Sequence, residues 1–348
     1  MHDAAAARPE VARAPLRRLL APYALAVVLA SVSGLVAVAV ASAYGLPLRD
    51  PDGLAGPSYV RLPAVVALFL LADVVPRALW RRTGLRAVAR ERWSPQRLAV
   101  VAVGLGSFYV TYVSYRNLKG ALPFARPEVL DRDLLALDEA MAFGNDPAAL
   151  LHDLLGTGVA AHLLAAVYLL FLAFVPLSLA AALVWSRDLR TGAWYVTALC
   201  LNWLLGAATY YLVPSLGPVF VRPGAYAALP ETGVSALQDS LLTARAEVLA
   251  DPVGADAIAG IAGFASLHTS IVFSAALLAH LLGLRAAVRW AAWVFLALTV
   301  LATAYFGWHY LVDDVAGLAV GGLAVLLAGW ATRQLATRSE PEPSPAAG

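Results

Sequence analysis

Apolar residues run in long blocks along this chain, and polar residues collect at the block edges. A helix crossing a bilayer needs about 20 consecutive, predominantly apolar residues. Eight stretches meet or approach that length, at 22–45, 61–80, 97–116, 158–185, 193–213, 266–284, 287–308 and 309–331. The last two adjoin, with Gly307 and Trp308 near the join. The pattern predicts an all-α fold, a polytopic integral membrane helix bundle of about eight spans. The first stretch is too long for a signal-peptide core and lacks a clear small-residue cleavage site, so it reads as a retained span.

Two longer polar segments interrupt the blocks. In 117–157, Leu130, Leu134, Leu137 and Met141 recur at three- and four-residue steps among acids. That spacing predicts a short amphipathic helix lying at the membrane interface. The segment 214–265 is rich in Pro and Gly and contains a second predicted helix near 234–249. The expected organisation is an N-terminal tail (1–20), a membrane-embedded domain (21–333) and a disordered, Pro-rich C-terminal tail (334–348).

Composition agrees. The chain of 348 residues is 61% hydrophobic and 14% charged, whereas a soluble domain is about 45–50% apolar and about 25% charged. A soluble cytosolic enzyme and a disordered chain are excluded on this ground. A net charge of +2 is too small for a nucleic-acid binder. The single cysteine, Cys200, excludes an internal disulfide and a cysteine-based metal cluster.

Charge sets the orientation. With the N-terminus inside, 17 of the 25 basic residues fall on inner segments, including Arg187 and the run Arg77 to Arg97, and 8 fall outside. The acids run the other way, 6 inside and 16 outside, with Asp73 inside the second span. This arginine bias predicts cytoplasmic termini and a plasma-membrane location. Of the basic residues only Lys119 is a lysine.

Ionisable residues at membrane depth are candidates for function. In this topology they gather at the outer face. Arg116 and Lys119 sit where the third span leaves the membrane, His268 opens the sixth, and His309, Asp313 and Asp314 lie at the seventh-to-eighth junction. His309 and Asp313 are four apart and would share a helical face. A carboxylate there can hold the imidazole Nδ1–H and leave Nε2 as a nucleophile. Ser266 is placed to cap the next helix, whose first amides would face an anion. Two histidines, a carboxylate, an amide cradle and a cation cluster are the parts needed for phosphoryl transfer through a phosphohistidine without a metal or other cofactor.

These residues resemble the phosphatidic acid phosphatase type 2 superfamily, whose motifs are Lys-x6-Arg-Pro, Pro-Ser-Gly-His and Ser-Arg-x5-His-x3-Asp. Lys119 to Arg126-Pro127 fits the first. Ala265-Ser266-Leu267-His268 fits the second with its Pro and Gly changed. His309-x3-Asp313 fits the end of the third, while Ala302 and Thr303 stand where Ser-Arg would be. Ser-Leu-His, Tyr305 to Asp313, Tyr115 to Lys119, and Pro214-Ser215-Leu216-Gly217-Pro218 together look like the inositolphosphotransferase branch, which includes inositol phosphorylceramide synthase. The resemblance covers about 115–315, a six-span core. It implies that His309 is the nucleophile, Asp313 orients it, His268 is the general acid and then base, and Arg116 and Lys119 hold phosphoryl oxygens. Arg126 joins them by the superfamily spacing, whereas the branch emphasises Arg116 and Lys119.

Simpler readings apply to other positions. Asp73 and Arg77 read as an i,i+4 pair near the inner surface. Asn202 reads as interhelical glue. His162 and His280 read as structural, and Asp314 as a solvated neighbour. Trp308 and Tyr310 read as belt aromatics, and Pro214 to Pro218 as the end of the fifth span or a wall of the acceptor pocket. The leading reading is a membrane phosphotransferase that moves a phosphoryl head group from a lipid donor to an alcohol, inositol-like acceptor. A lipid phosphate or polyprenyl pyrophosphate phosphatase would use the same residues with water as acceptor. A transporter is the non-enzyme alternative, but it would place its ionisable residues near the midplane and show repeats.

Overall fold

The computed structural model of the chain describes residues 15–50, 56–186 and 188–334. Most of both predicted tails, and Arg187 of the orientation count, lie outside the described residues. The helices are α1 (Leu16–Tyr44, with a 3-10 turn at Ala21–Tyr23), α2 (Ser58–Arg81), α3 (Leu85–Arg92), α4 (Pro95–Ala125), α5 (Asp131–Met141) and α6 (Pro147–Leu155). They continue as α7 (Val159–Trp185), α8 (Leu189–Leu212), α9 (Gly233–Ala250), α10 (Leu267–Leu281), α11 (Ala286–Tyr305) and α12 (Leu311–Ala331). A single turn at Pro218–Val221 and a 3-10 turn at Pro223–Tyr226 bridge α8 and α9. No strand occurs among the described residues.

Each of the eight apolar blocks contains a helix. Six of the helices, α1, α2, α4, α7, α11 and α12, are long and apolar enough to cross a membrane. The chain is therefore a polytopic helical membrane bundle. The other two differ for physical reasons. α10 has only 15 residues. α8 has the length, but Arg190, Asn202 and its Trp and Tyr residues dilute its apolar character. It can carry them because it sits at the centre, packed against α1, α4, α7, α10 and α12. Its Trp194 Nε1 donates to the Val325 carbonyl at 2.8 Å. Asn202 donates to Ser274 Oγ at 2.9 Å and accepts from Ser270, so it does join α8 to α10.

Two boundaries shift. The third block continues as helix to Ala125, so Arg116 and Lys119 lie within α4 rather than where it ends. The hydropathy drops there while the helix goes on, with Ser94 capping its start by accepting from Arg97 N at 3.2 Å. The seventh and eighth blocks separate at residues 306–310, where Gly307 has φ +65°. A positive φ ends a right-handed helix and favours glycine.

The inner-side pair is also larger than the spacing indicated. Asp73 is buried and receives Arg92 through Nε and Nη2, both at 2.8 Å, in addition to Arg77 and Trp93 Nε1. A bidentate guanidinium satisfies a buried carboxylate well, and it ties α3 to α2.

α10 and α12 run very close. A Cβ at Gly317 would lie 2.5 Å from the Ser266 carbonyl oxygen, and one at Gly321 would lie 2.5 Å from that of Ser270. Small residues four apart let helix backbones approach in this way. A larger residue must push α10 from α12, and overpacking costs about 1–3 kcal/mol. Gly317→Leu is expected to lower the detergent-solubilised melting temperature by several degrees, read by scanning fluorimetry. An unchanged melting temperature would show that the approach is not a constraint.

Candidate active site

The close approach of α10 and α12 brings the two histidine segments together. His309 Nε2 lies 3.1 Å from His268 Nδ1, and His309 Nδ1 lies 3.4 Å from Asp313 Oδ2. His309 is 5% exposed and Asp313 0%. His309 does not share a helical face with Asp313. It lies in the break before α12, and Asp313 is in the first turn of that helix. Asp313 Oδ2 also accepts from the Tyr310 amide at 3.0 Å. The carboxylate therefore caps the helix start and faces the imidazole at once.

The tautomers follow from this chain. A carboxylate accepts, so His309 Nδ1 carries the hydrogen turned toward Asp313. His309 Nε2 then holds a lone pair, and His268 Nδ1 must be the donor between the rings. His268 rests in an aromatic recess, with ring centroids 4.4 Å from Phe171 and 4.8 Å from Tyr168.

Ser266 is the N-cap of α10, as the sequence indicates. Its Oγ accepts from Thr269 N at 3.3 Å, and its own amide donates to the Asp313 carbonyl at 2.9 Å. Asp314 is not solvated. It is 3% exposed and receives the hydroxyls of Thr269 and Thr303. Thr303 stands at the position that the superfamily motif gives to arginine, and here its hydroxyl meets a carboxylate instead.

The cations are placed unequally. Lys119 Nζ lies 5.1 Å from the Tyr210 ring centroid and within electrostatic reach of both His268 and Arg116. Arg116 Nη2 would lie 3.9 Å from a Cβ at Gly260, and its Nε is buried without a hydrogen-bond partner among the described residues. Arg126 is exposed at the end of α4 and donates to the Tyr211 carbonyl. No described contact brings it to the histidines.

Three further groups organise the site. Asp131 accepts from the Leu216 amide at 2.9 Å, from the Gly217 amide at 2.9 Å and from Tyr310 OH at 3.1 Å. Asp138 accepts from the amides of Leu311 and Val312 at the start of α12. Ser215 joins the loop to the α10 approach, accepting from Gly263 N at 2.9 Å and Phe264 N at 3.0 Å. The segment Pro214 to Pro218 thus does more than end α8. It lies across both histidine segments, with Val219 N donating to the Gly307 carbonyl at 2.9 Å. The face of α5 buried here holds Asp131, Leu134 and Asp138, while Leu137 and Met141 are exposed at 46% and 41%. Of the leucine face expected at the interface, Leu134 packs against protein, while Leu137 and Met141 stay on the outside of the bundle. The seven-residue spacing of Asp131 and Asp138, with Leu134 between, was the available signal.

Trp308 and Tyr310 are buried, not belt residues, and Trp308 stacks on Tyr168 at 5.0 Å. His152 contacts the Tyr305 carbonyl at 2.9 Å and His280 packs on Trp293, both away from the pair. A polar cavity of about 240 Å³, lined in part by Asp138, Asp146, Arg222 and Tyr226, borders His309 on the α5–α6 side. Among the described residues no group of three or more His, Cys, Asp or Glu could hold a metal ion.

A family model described as PAP2 superfamily matches residues 132–327. The match includes Ser266, His268, His309 and Asp313 and stops short of Arg116, Lys119 and Arg126. No curated protein and no solved structure matches the chain.

Burial and the nearby Asp313 and Asp314 push the Asp138 carboxyl up to about 6, against the lowering effect of its two amide donors. A carboxyl raised on folding loses stability as pH rises from its unfolded value, about 4, through its folded value. Asp138→Asn keeps an acceptor for the amides and removes the charge. Its melting temperature relative to wild type is expected to be higher at pH 7.5 than at pH 4.5. An offset independent of pH would contradict this.

Proposed function

This chain belongs to the PAP2 superfamily, and from that premise we propose that it transfers a phosphoryl head group from a lipid donor to an alcohol acceptor through phospho-His309. Membership makes it an enzyme of the phosphatase or phosphotransferase kind acting in a membrane. The finer reading rests on one observation, the ordered chain Asp313–His309–His268.

His309 Nε2 uses its lone pair to form the N–P bond as the P–O bond to the lipid leaving group breaks. His268 enters this step as the imidazolium, protonated beside the substrate phosphate, gives its Nδ1 proton to the departing oxygen and is left as neutral imidazole. Asp313 faces the Nδ1–H and stabilises the imidazolium. In the second half the acceptor hydroxyl gives its proton to His268, its oxygen bonds phosphorus, and the N–P bond breaks. Lys119 and Arg116 balance the charge on the transferring oxygens. An in-line phosphorus needs the space that His268 Nδ1 occupies in front of Nε2, so substrate displaces that ring. Ser266 acts here by holding the start of α10, and Arg126 is left outside the mechanism.

The arginine bias supports an orientation with this end of the bundle at the outer face of the plasma membrane. An inositol-like polyol is the acceptor favoured by the resemblance to the inositolphosphotransferase branch.

The purified protein, supplied with a lipid carrying a radiolabelled phosphoryl head group and with inositol, is expected to move label to the polyol. His309→Ala should lower the rate at least a thousandfold, about 4 kcal/mol. Full activity in that variant would end the mechanism, and a fall of only about tenfold would be too small for a lost nucleophile. Release of free phosphate without any need for a polyol would replace transfer by hydrolysis.

A further inference from the structure

A second cavity lies between α1, α4 and the segment leading to α10, and has no part in the mechanism above. It is partly open, and about 380 Å³ of empty space lies within it and its open mouth. Ala41 and Leu46 come from α1 and its exit, Gly120 and Ala121 from α4, and Ile258 and Ala259 from the segment leading to α10.

Its polar groups are already engaged. Asn117 accepts from Arg49 N at 2.9 Å and donates to the carbonyls of Arg49 and Val113 at 2.8 Å. The Arg49 guanidinium donates to Asp256 at 3.3 Å and to the Val253 carbonyl at 3.0 Å. What the cavity offers a ligand is apolar surface.

Its position is specific. Gly120 adjoins Lys119 along α4. Ile258 and Ala259 adjoin Gly260, the residue beside Arg116 Nη2. An apolar chain in this cavity would have its head end near the Arg116 guanidinium beside Gly260, with Lys119 the next residue along α4 from Gly120, which matches an amphiphile with an anionic head. We infer that this cavity holds the first part of the hydrocarbon chain of the lipid phosphate substrate, with the phosphate on Arg116 and Lys119. The inference rests on the proposed lipid phosphate chemistry. It also gives α1, which lies outside the family match, a part in substrate selection.

Two measurements test it. Ala257 also lines the cavity and lies on a partly exposed loop, so Ala257→Phe fills the space at little risk to folding. Initial rates are measured with dioleoyl phosphatidic acid in mixed micelles and with p-nitrophenyl phosphate, which has no chain. The variant is expected to lose at least tenfold in kcat/KM on the lipid and to stay within twofold on the chainless ester. Equal losses on both, or no loss on either, would overturn the assignment.

The second measurement needs no turnover. Phosphatidic acid carrying a diazirine on its acyl chain near the glycerol is photolysed with the wild-type protein, and the labelled peptides are sequenced. Label on 41–49 or 248–259 supports the cavity even where nothing is turned over, in which case the proposed function fails alone. Label elsewhere, or none, overturns the cavity even where turnover persists.

Discussion

Four carboxylates, Asp131, Asp138, Asp313 and Asp314, are buried at one end of this bundle. No arginine or lysine forms an ion pair with them among the described residues. Burying a charge without donors costs several kcal/mol, so each must find hydrogen bonds. They find them on the loop after α8, at the start of α12 and on two threonines, while Asp313 Oδ1 is buried without a partner among the described residues. Asp131 holds the loop after α8, Asp138 the start of α12, Asp313 the Tyr310 amide, and Asp314 the hydroxyls of Thr269 and Thr303. Satisfying the acids therefore fixes the loop, the helix break and the start of α10 relative to one another. The approach of His268 to His309 and Asp313 is a by-product of that requirement.

The same arrangement explains why the cations remain available. Arg116 and Lys119 approach from α4 while the acids are occupied by backbone amides and hydroxyls. Had the carboxylates been paired with these cations, little positive charge would remain for a phosphate. Backbone amides neutralise a carboxylate without adding a competing anion site, and the α12 start supplies them at no extra cost to the fold because its first amides lack intrahelical partners.

The helical membrane fold was legible because the length of apolar blocks maps directly onto helices that cross a bilayer. The convergence of His268, His309 and Asp313 was legible because ionisable groups at that depth have few structural explanations. Three details were not. The polar stretch from Arg116 to Ala125 reads as an exit from the membrane, yet it is helix whose polar groups face protein. Four residues between His309 and Asp313 read as one helical turn, while Gly307 permits a break that turns the pair into a cap. The leucines of α5 mark an amphipathic helix, but they do not show that Asp131 and Asp138 form its protein-facing side, where amides receive them. In each case hydropathy reports affinity for lipid, and the residue was placed by a partner elsewhere in the chain.

Thr303 shows how such partners redistribute charge. The superfamily motif puts an arginine six residues before the nucleophilic histidine. Here Thr303 gives its hydroxyl to Asp314 at 3.2 Å. An arginine at this buried position would face Asp314 directly and form a salt bridge with it. With threonine, Asp314 is satisfied by neutral hydroxyls and no cation comes from α11. In the proposed reaction, positive charge for a phosphoryl group would come from α4, whose Arg116 and Lys119 precede the matched region. The histidines and the cations thus reside on separately packed parts of the bundle, joined through α8 and the segment 258–266. Substrate bound across that seam would touch both, so the packing of α4 against the core bears on recognition as directly as the histidines bear on the chemistry.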